Sequence, residues 1–131
     1  MEFLEQRREH ALALFRIIIG LFFVFHGVQK VSKGTELLSW PGGPMSVIEL
    51  VGGGLILIGL WTRWAALISS GAMAYAYFVV HQPKALLPIE NGGELAAIYS
   101  WAFLLLVFTG AGAWSIDHLR TKTTKKSLAS A

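Results

Sequence analysis

Four apolar stretches separated by short polar segments dominate this chain of 131 residues. They lie at about residues 11–28, 45–60, 65–80 and 95–114. The hydrophobic fraction is 54% and the charged fraction is 15%, whereas soluble domains carry about 25% charged residues. Because a chain of this length cannot bury four such stretches in a soluble core, the sequence predicts an integral membrane protein. We expect one all-α domain in which four helices form a bundle.

Basic residues are distributed unevenly around these stretches. If all four helices cross the membrane, both termini lie on one side, where basic residues outnumber those on the other side by eight to three. The positive-inside rule then places both termini in the cytoplasm. Residues 118–131 form a basic tail that we expect to attract anionic lipid headgroups rather than nucleic acid.

The chain contains no cysteine. It therefore cannot build a disulfide, a thiolate metal site or a thiol redox relay by itself. Apart from the neighbours Asp117 and His118, whose side chains point in different directions, no His, Asp or Glu pair has ligand spacing on one helix, so no metal site is predicted. Any redox chemistry would need a bound cofactor or a partner protein that supplies electrons.

A first set of polar residues is predicted at similar depth near the outer membrane surface. Its members are His26, Gln29, Lys30, Glu49, His81 and Glu94. Glu49 stands out because it lies inside an apolar stretch, where an unpaired carboxylate would be protonated. It is therefore either protonated or paired with Lys30 or a histidine. Both states suit a proton-handling site, and a purely structural pairing is the alternative.

A second set, made of Arg16, Arg63 and Asp117, falls near the inner surface. We interpret it as a structural polar layer, in which the arginines either pair or extend to the inner headgroups. Asn91 and Glu94 have the spacing of a capping box at the start of the fourth helix. Glycines recur on the first two helices and are predicted to mark helix–helix packing faces.

Several short motifs, in this order and spacing, resemble the DoxX family of small bacterial membrane proteins. They are Arg16-x-x-x-Gly20, His26-Gly27-x-x-Lys30, Glu49-x-x-Gly52-Gly53, Gly59-x-x-Thr62-Arg63, Asn91-Gly-Gly-Glu94 and Gly110-Ala-Gly112-x-Trp114-Ser115-x-Asp117. The resemblance covers residues 12 to about 119. The family typically shows a proline in the closing Gly-x-Gly stretch, where this chain has Ala111.

This resemblance implies a four-helix, multi-pass bundle in the bacterial inner membrane. It also implies a link to quinone-dependent oxidation and oxidative stress, although distant relatives act as assembly factors. A quinone head needs hydrogen-bond donors and a proton acceptor beside an apolar channel for its tail. His26 or His81 would serve the carbonyl and Glu49 would exchange the proton, with Gln29, Lys30 and Glu94 around the cofactor.

Other functions fit the same sequence. Haem ligated by His26 and His81 is disfavoured, since histidines at helix ends are common by chance. A proton-coupled exporter is disfavoured because the first helix contains no acid between Ala11 and Val28. The main alternative is a non-catalytic scaffold or assembly factor whose glycine faces dock a partner protein or a second copy of the chain.

Overall fold

A computed structural model describes all 131 residues. It contains helices and no β-strand, which confirms the all-α prediction. The helices are α1 (Glu2–Gln6), α2 (Arg8–Ser32), α3 (Gly42–Ile58), α4 (Thr62–Lys84), α5 (Pro88–Asn91), α6 (Glu94–Thr109) and α7 (Ile116–Ser130).

Four apolar helices form the body of the molecule. α2 packs along α3, α3 turns tightly into α4, and α4 packs along α6, whereas α2 and α6 contact each other sparsely. Phe23, Ile56, Phe103 and Leu106 are fully buried where these helices meet. The sparse contact between α2 and α6 leaves a seam that is open to the surroundings.

The fourth predicted helix is shorter than expected. The stretch at 95–114 was predicted to be helical throughout, but α6 ends at Thr109. Gly110 and Gly112 adopt positive φ angles of 76° and 70°, as does Trp114 at 52°, and an α-helix cannot continue through such residues. Residues 110–115 therefore form a folded segment across the end of the bundle.

Glycines allow α2 and α3 to approach closely. A Cβ atom at Gly20 would lie 2.8 Å from the backbone nitrogen of Leu57, and one at Gly53 would lie 3.0 Å from the backbone nitrogen of Val24. Backbone atoms cannot move away as a flexible side chain can. These two glycines therefore set the distance between the helices, as small residues do in membrane bundles.

The outer surface of this bundle is apolar. Phe25, Phe78, Trp101 and Phe108 are among many large hydrophobic side chains that are more than half exposed. By length and composition, α2 and α4 can cross a bilayer, while α3 and α6 are apolar but shorter. The number of crossings and the cytoplasmic position of the termini stay predictions.

Candidate functional site

Lys30 and Glu49 form an ion pair between α2 and α3. The Lys30 Nζ atom lies 2.6 Å from Glu49 Oε1. The Lys30 side chain is 38% exposed and the Glu49 side chain only 4%. Lys30 and the histidines were the partners predicted for Glu49, and Lys30 is the one that contacts it. The second carboxylate oxygen, Oε2, is buried and accepts no hydrogen bond from the protein.

The local backbone explains how these two side chains meet. Glu49 lies in a π-helical turn of α3, Ile48–Gly52, which is wider than an α-helical turn and is often found at functional positions. Gly27 faces it from α2, where a Cβ atom would lie 3.1 Å from Glu49 Cβ. The missing side chain of Gly27 lets α3 come close enough for Lys30, one turn further along, to reach the carboxylate.

His26 and Gln29 face a different direction, toward the open seam between α2 and α6. The His26 ring stands edge-on to the Tyr99 ring, with centroids 5.7 Å apart. These polar residues line a groove of about 260 Å³ together with Phe22, Phe25, Leu95 and Tyr99. Glu49 is not part of its lining. The groove therefore combines hydrogen-bonding groups with aromatic walls, which is a chemistry suited to a planar polar ring.

A larger apolar groove of about 680 Å³ follows on the surface of α6. Ile98 and Leu105 line it, and Phe15 contributes from α2. Glu94 lies at its edge and is exposed. Leu95 of the smaller groove and Ile98 of the larger one are three residues apart, so they are neighbours on the helix surface. The two grooves thus follow each other along the same side of α6.

His81 does not join the His26 groove. Its Nδ1 atom lies 3.3 Å from the carbonyl oxygen of Asn91, and Gly93 packs against it. Neither His81 nor Glu49 lines the groove that contains His26. The catalytic roles predicted for His26, Glu49 and His81 stay predictions. Two side chains at the same depth in a bundle can contact different neighbours, because the direction of each depends on where its residue lies around its own helix axis.

The capping box predicted at Asn91 and Glu94 is also wrong. α6 begins at Glu94, and Gly93 precedes it without a side-chain cap. The Asn91 Oδ1 atom accepts a hydrogen bond of 2.7 Å from the Gly93 backbone N–H, which closes a local turn instead. The Asn91 amide also donates to the Ala85 carbonyl at 3.1 Å, so this side chain organises the α4–α6 connection.

At the opposite end of the bundle, Arg16 is fully buried. Its Nη1 atom donates to the Ala111 carbonyl at 3.0 Å, and Nη2 donates to the Trp114 carbonyl at 2.8 Å. The predicted extension to the inner headgroups is therefore wrong for Arg16. Its guanidinium instead satisfies carbonyl groups of segment 110–115 that no helix can satisfy.

The other two members of the predicted structural layer also bind backbone. Arg63 Nη1 donates to the carbonyls of Val107 and Phe108, at 2.8 and 2.9 Å, and so satisfies the end of α6. The Asp117 carboxylate accepts the N–H groups of Trp61 and Thr62, at 2.8 and 2.9 Å, and caps the start of α4. This end of the molecule is held by side chains that cap helices other than their own.

Sequence reasoning missed Tyr99. It is 4% exposed, faces His26, and stacks on Phe103 at 5.7 Å between centroids. Its four-residue spacing from Phe103 was a signal of a shared buried face. Nothing in that spacing indicated that a histidine of α2 lies opposite. The structure contains no group of three or more His, Asp or Glu side chains that could hold a metal ion.

The chain matches one family model and several bacterial proteins. The sequence model of the DoxX family matches residues 11–82. An uncharacterized protein of Haemophilus influenzae is 44% identical over 129 residues, covering 90% of this chain and 96% of its own length. The inner membrane protein YqjF of Escherichia coli is 35% identical, covering 82% of this chain and 89% of its own. The uncharacterized membrane protein Rv3486 of Mycobacterium tuberculosis is 32% identical, covering 82% and 79%. No solved structure matches the chain.

Proposed function

We propose that this chain, which belongs to the DoxX family of membrane proteins, is a quinone-binding subunit of a membrane redox or oxidative-stress complex. In this proposal the four apolar helices all cross the bacterial inner membrane and both termini are cytoplasmic. A partner protein supplies the electrons, because a chain without cysteine offers no thiol chemistry for their transfer.

The observation that carries the proposal is the groove in the seam between α2 and α6. His26 and Gln29 supply hydrogen-bond donors for a quinone carbonyl, and Phe22, Phe25 and Tyr99 supply ring surfaces for the head. The apolar groove that follows along α6 has the character required for an isoprenoid tail. With all four helices in the bilayer, as proposed, both grooves would open toward the lipid, where quinones are dissolved.

The roles of the other polar residues change accordingly. Glu49 is buried against Lys30 outside this groove, so we assign it a positioning role. The ion pair fixes the last two turns of α2, which carry His26 and Gln29. His81 has no part in the site, and Glu94 lies at the edge of the tail groove.

The test is a titration of the detergent-purified protein with a short-tailed ubiquinone analogue, followed by tryptophan quenching. His26→Ala removes one donor, worth about 1 kcal/mol, so binding should weaken about fivefold. His81→Ala is the matched control, because it removes the same side chain from the same end of the bundle outside the groove. Saturable binding that weakens in both variants alike, or no saturable binding to the wild type, would reject the site.

A second candidate is a scaffold or assembly factor without catalysis. It is favoured because the side chains of Arg16, Arg63 and Asp117 all bind backbone groups of the chain itself, which is a structural role. In addition, a Cβ atom at Gly54 or Gly71 would meet nothing within 4 Å, so both glycines lie on open helix faces. Small residues on such faces allow another transmembrane helix to approach closely.

The scaffold proposal predicts a stoichiometric, identifiable partner in the membrane, which is either another protein or a second copy of the chain. Gly71→Leu should abolish its co-purification, because the leucine side chain would hold the partner helix away. Ile68→Leu, an exposed apolar position on the same helix, is the control and should leave co-purification intact. Equal retention of the partner in both variants would reject this face as the docking surface.

A further inference from the structure

A polar cavity of about 730 Å³ lies at the end of the bundle opposite the Lys30–Glu49 pair. It is bounded by the α3–α4 turn, by residues 109–112 and by the first turns of α7. Most of its lining is polar, and the cationic members are Arg63, Arg120 and Lys125. The cavity is separate from the grooves in the α2–α6 seam, and its function does not depend on quinone binding.

The cations around this cavity have unused hydrogen-bonding capacity. Arg63 is held in place by its Nη1 bonds to the end of α6, which leave Nε and Nη2 without a protein acceptor. The side chains of Arg120 and Lys125 form no hydrogen bond or ion pair within the protein and are exposed. These groups can therefore converge on an acceptor that enters the cavity.

A buried hydroxyl group in the lining lacks a partner as well. Thr62 is fully buried, and its Oγ1 atom has no hydrogen-bond partner in the protein. Buried polar atoms are satisfied in most proteins by protein groups or by bound molecules. Thr62 belongs to the same lining as the three cations, and an oxygen-rich anion is the kind of ligand that both a hydroxyl and cationic side chains can bind.

The acidic residues of the lining do not cancel this positive character. Both oxygens of Asp117 accept backbone N–H groups, those of Trp61 and Thr62. Glu9 is the second acid, and it is exposed at the rim. Three cations against two acids, one of them engaged by the backbone, leave the cavity cationic.

We infer that this cavity binds a phosphate group, held by Arg63, Arg120 and Lys125 with Thr62 at its base. Guanidinium and ammonium groups are the side chains that bind phosphate in proteins. Trp61 and Trp64, which are 56% and 70% exposed, flank the cavity, and tryptophans in such positions lie at headgroup level. The group is therefore the phosphate of an anionic lipid headgroup, or that of a soluble phosphate ester.

The experiment measures ligand affinity with the full-length protein in neutral detergent. The probes are dihexanoyl phosphatidylglycerol, dihexanoyl phosphatidylcholine and inorganic phosphate, with tryptophan fluorescence as the readout. Arg120→Gln/Lys125→Gln removes two exposed cations of the cavity. Lys122→Gln/Lys126→Gln removes the same charge from the same helix, outside the cavity lining, and is the matched control.

We expect saturable binding of phosphatidylglycerol that weakens about tenfold or more in Arg120→Gln/Lys125→Gln and less than about twofold in the control. If phosphatidylglycerol binds and inorganic phosphate does not compete with it, the cavity is a lipid headgroup site. If inorganic phosphate competes, the cavity accepts any phosphate group. Equal weakening in both double variants would show only diffuse attraction of the basic helix to anionic lipid and would overturn the inference. Absence of saturable binding to the wild type by all three probes would overturn it too.

Discussion

The Nζ atom of Lys30 lies 2.6 Å from Oε1 of Glu49, and this contact joins the end of α2 to the π-helical turn of α3. The carboxylate is almost entirely buried and the ammonium is partly exposed. The pair is therefore asymmetric. Loss of the lysine would leave a buried charge without compensation, whereas loss of both charges would not.

Lys30→Met should destabilise the protein by about 2–3 kcal/mol, below the range for a fully buried pair because Lys30 is partly exposed. The double variant Lys30→Met/Glu49→Gln should recover most of this loss, since no buried charge then remains. The measurement is the thermal midpoint in detergent, together with abundance in the membrane. Equal stability of the single and double variants would contradict the explanation.

Arg16→Lys should cost about 3 kcal/mol of stability. The planar guanidinium of arginine binds the carbonyls of Ala111 and Trp114 through two different nitrogens, and the single ammonium of lysine cannot reach both. Segment 110–115 should also lose protection in hydrogen–deuterium exchange. Arg8→Lys, an exposed position at the start of the same helix, is the control and should change neither property.

Gly53→Ala should destabilise the protein by about 1–3 kcal/mol, because the added methyl group meets the backbone of Val24. Gly54→Ala is the control at the neighbouring position, where a Cβ atom meets nothing within 4 Å. There the better helix propensity of alanine should leave stability unchanged or raise it by up to about 1 kcal/mol. Equal thermal midpoints for the two variants would show that the α2–α3 distance is not set at Gly53.

Asp117→Ala should cost about 1–2 kcal/mol, because two N–H groups at the start of α4 lose their acceptor. Asp117→Asn retains one side-chain oxygen and should cost less. Chemical unfolding monitored by circular dichroism checks the order of the three proteins. An alanine variant as stable as the wild type would mean that water replaces the carboxylate at no cost.

Much of the fold could be predicted from the sequence because its signals are local. Apolar stretches of helical length with charged residues between them predicted the all-α class. Glycines at helical spacing predicted packing faces on the first two helices, and the structure shows Gly20 at the α2–α3 contact. The same local signals failed at residues 110–114, where apolar composition suggested helix. Positive φ angles at Gly110 and Gly112 end the helix there, and composition does not report backbone angles.

The candidate site was predicted only in part. His26 and Gln29 were named from the sequence, but their groove also needs Tyr99 from a helix that is distant in the chain. How deep a residue lies along the bundle could be predicted from its position within its own helix. Direction around each helix axis, which decides whether a side chain lines the groove with His26, depends on how the helices are rotated against one another.

The helical class, the family and the set of polar residues that an apolar bundle has to accommodate can thus be inferred from the sequence. The partners of those polar residues depend on how the helices pack. Arg16, Arg63 and Asp117 bind backbone groups 95, 44 and 56 residues away. Every residue carries such a carbonyl and nearly every one such an N–H, so no side-chain pattern marks which of them a buried charge will bind.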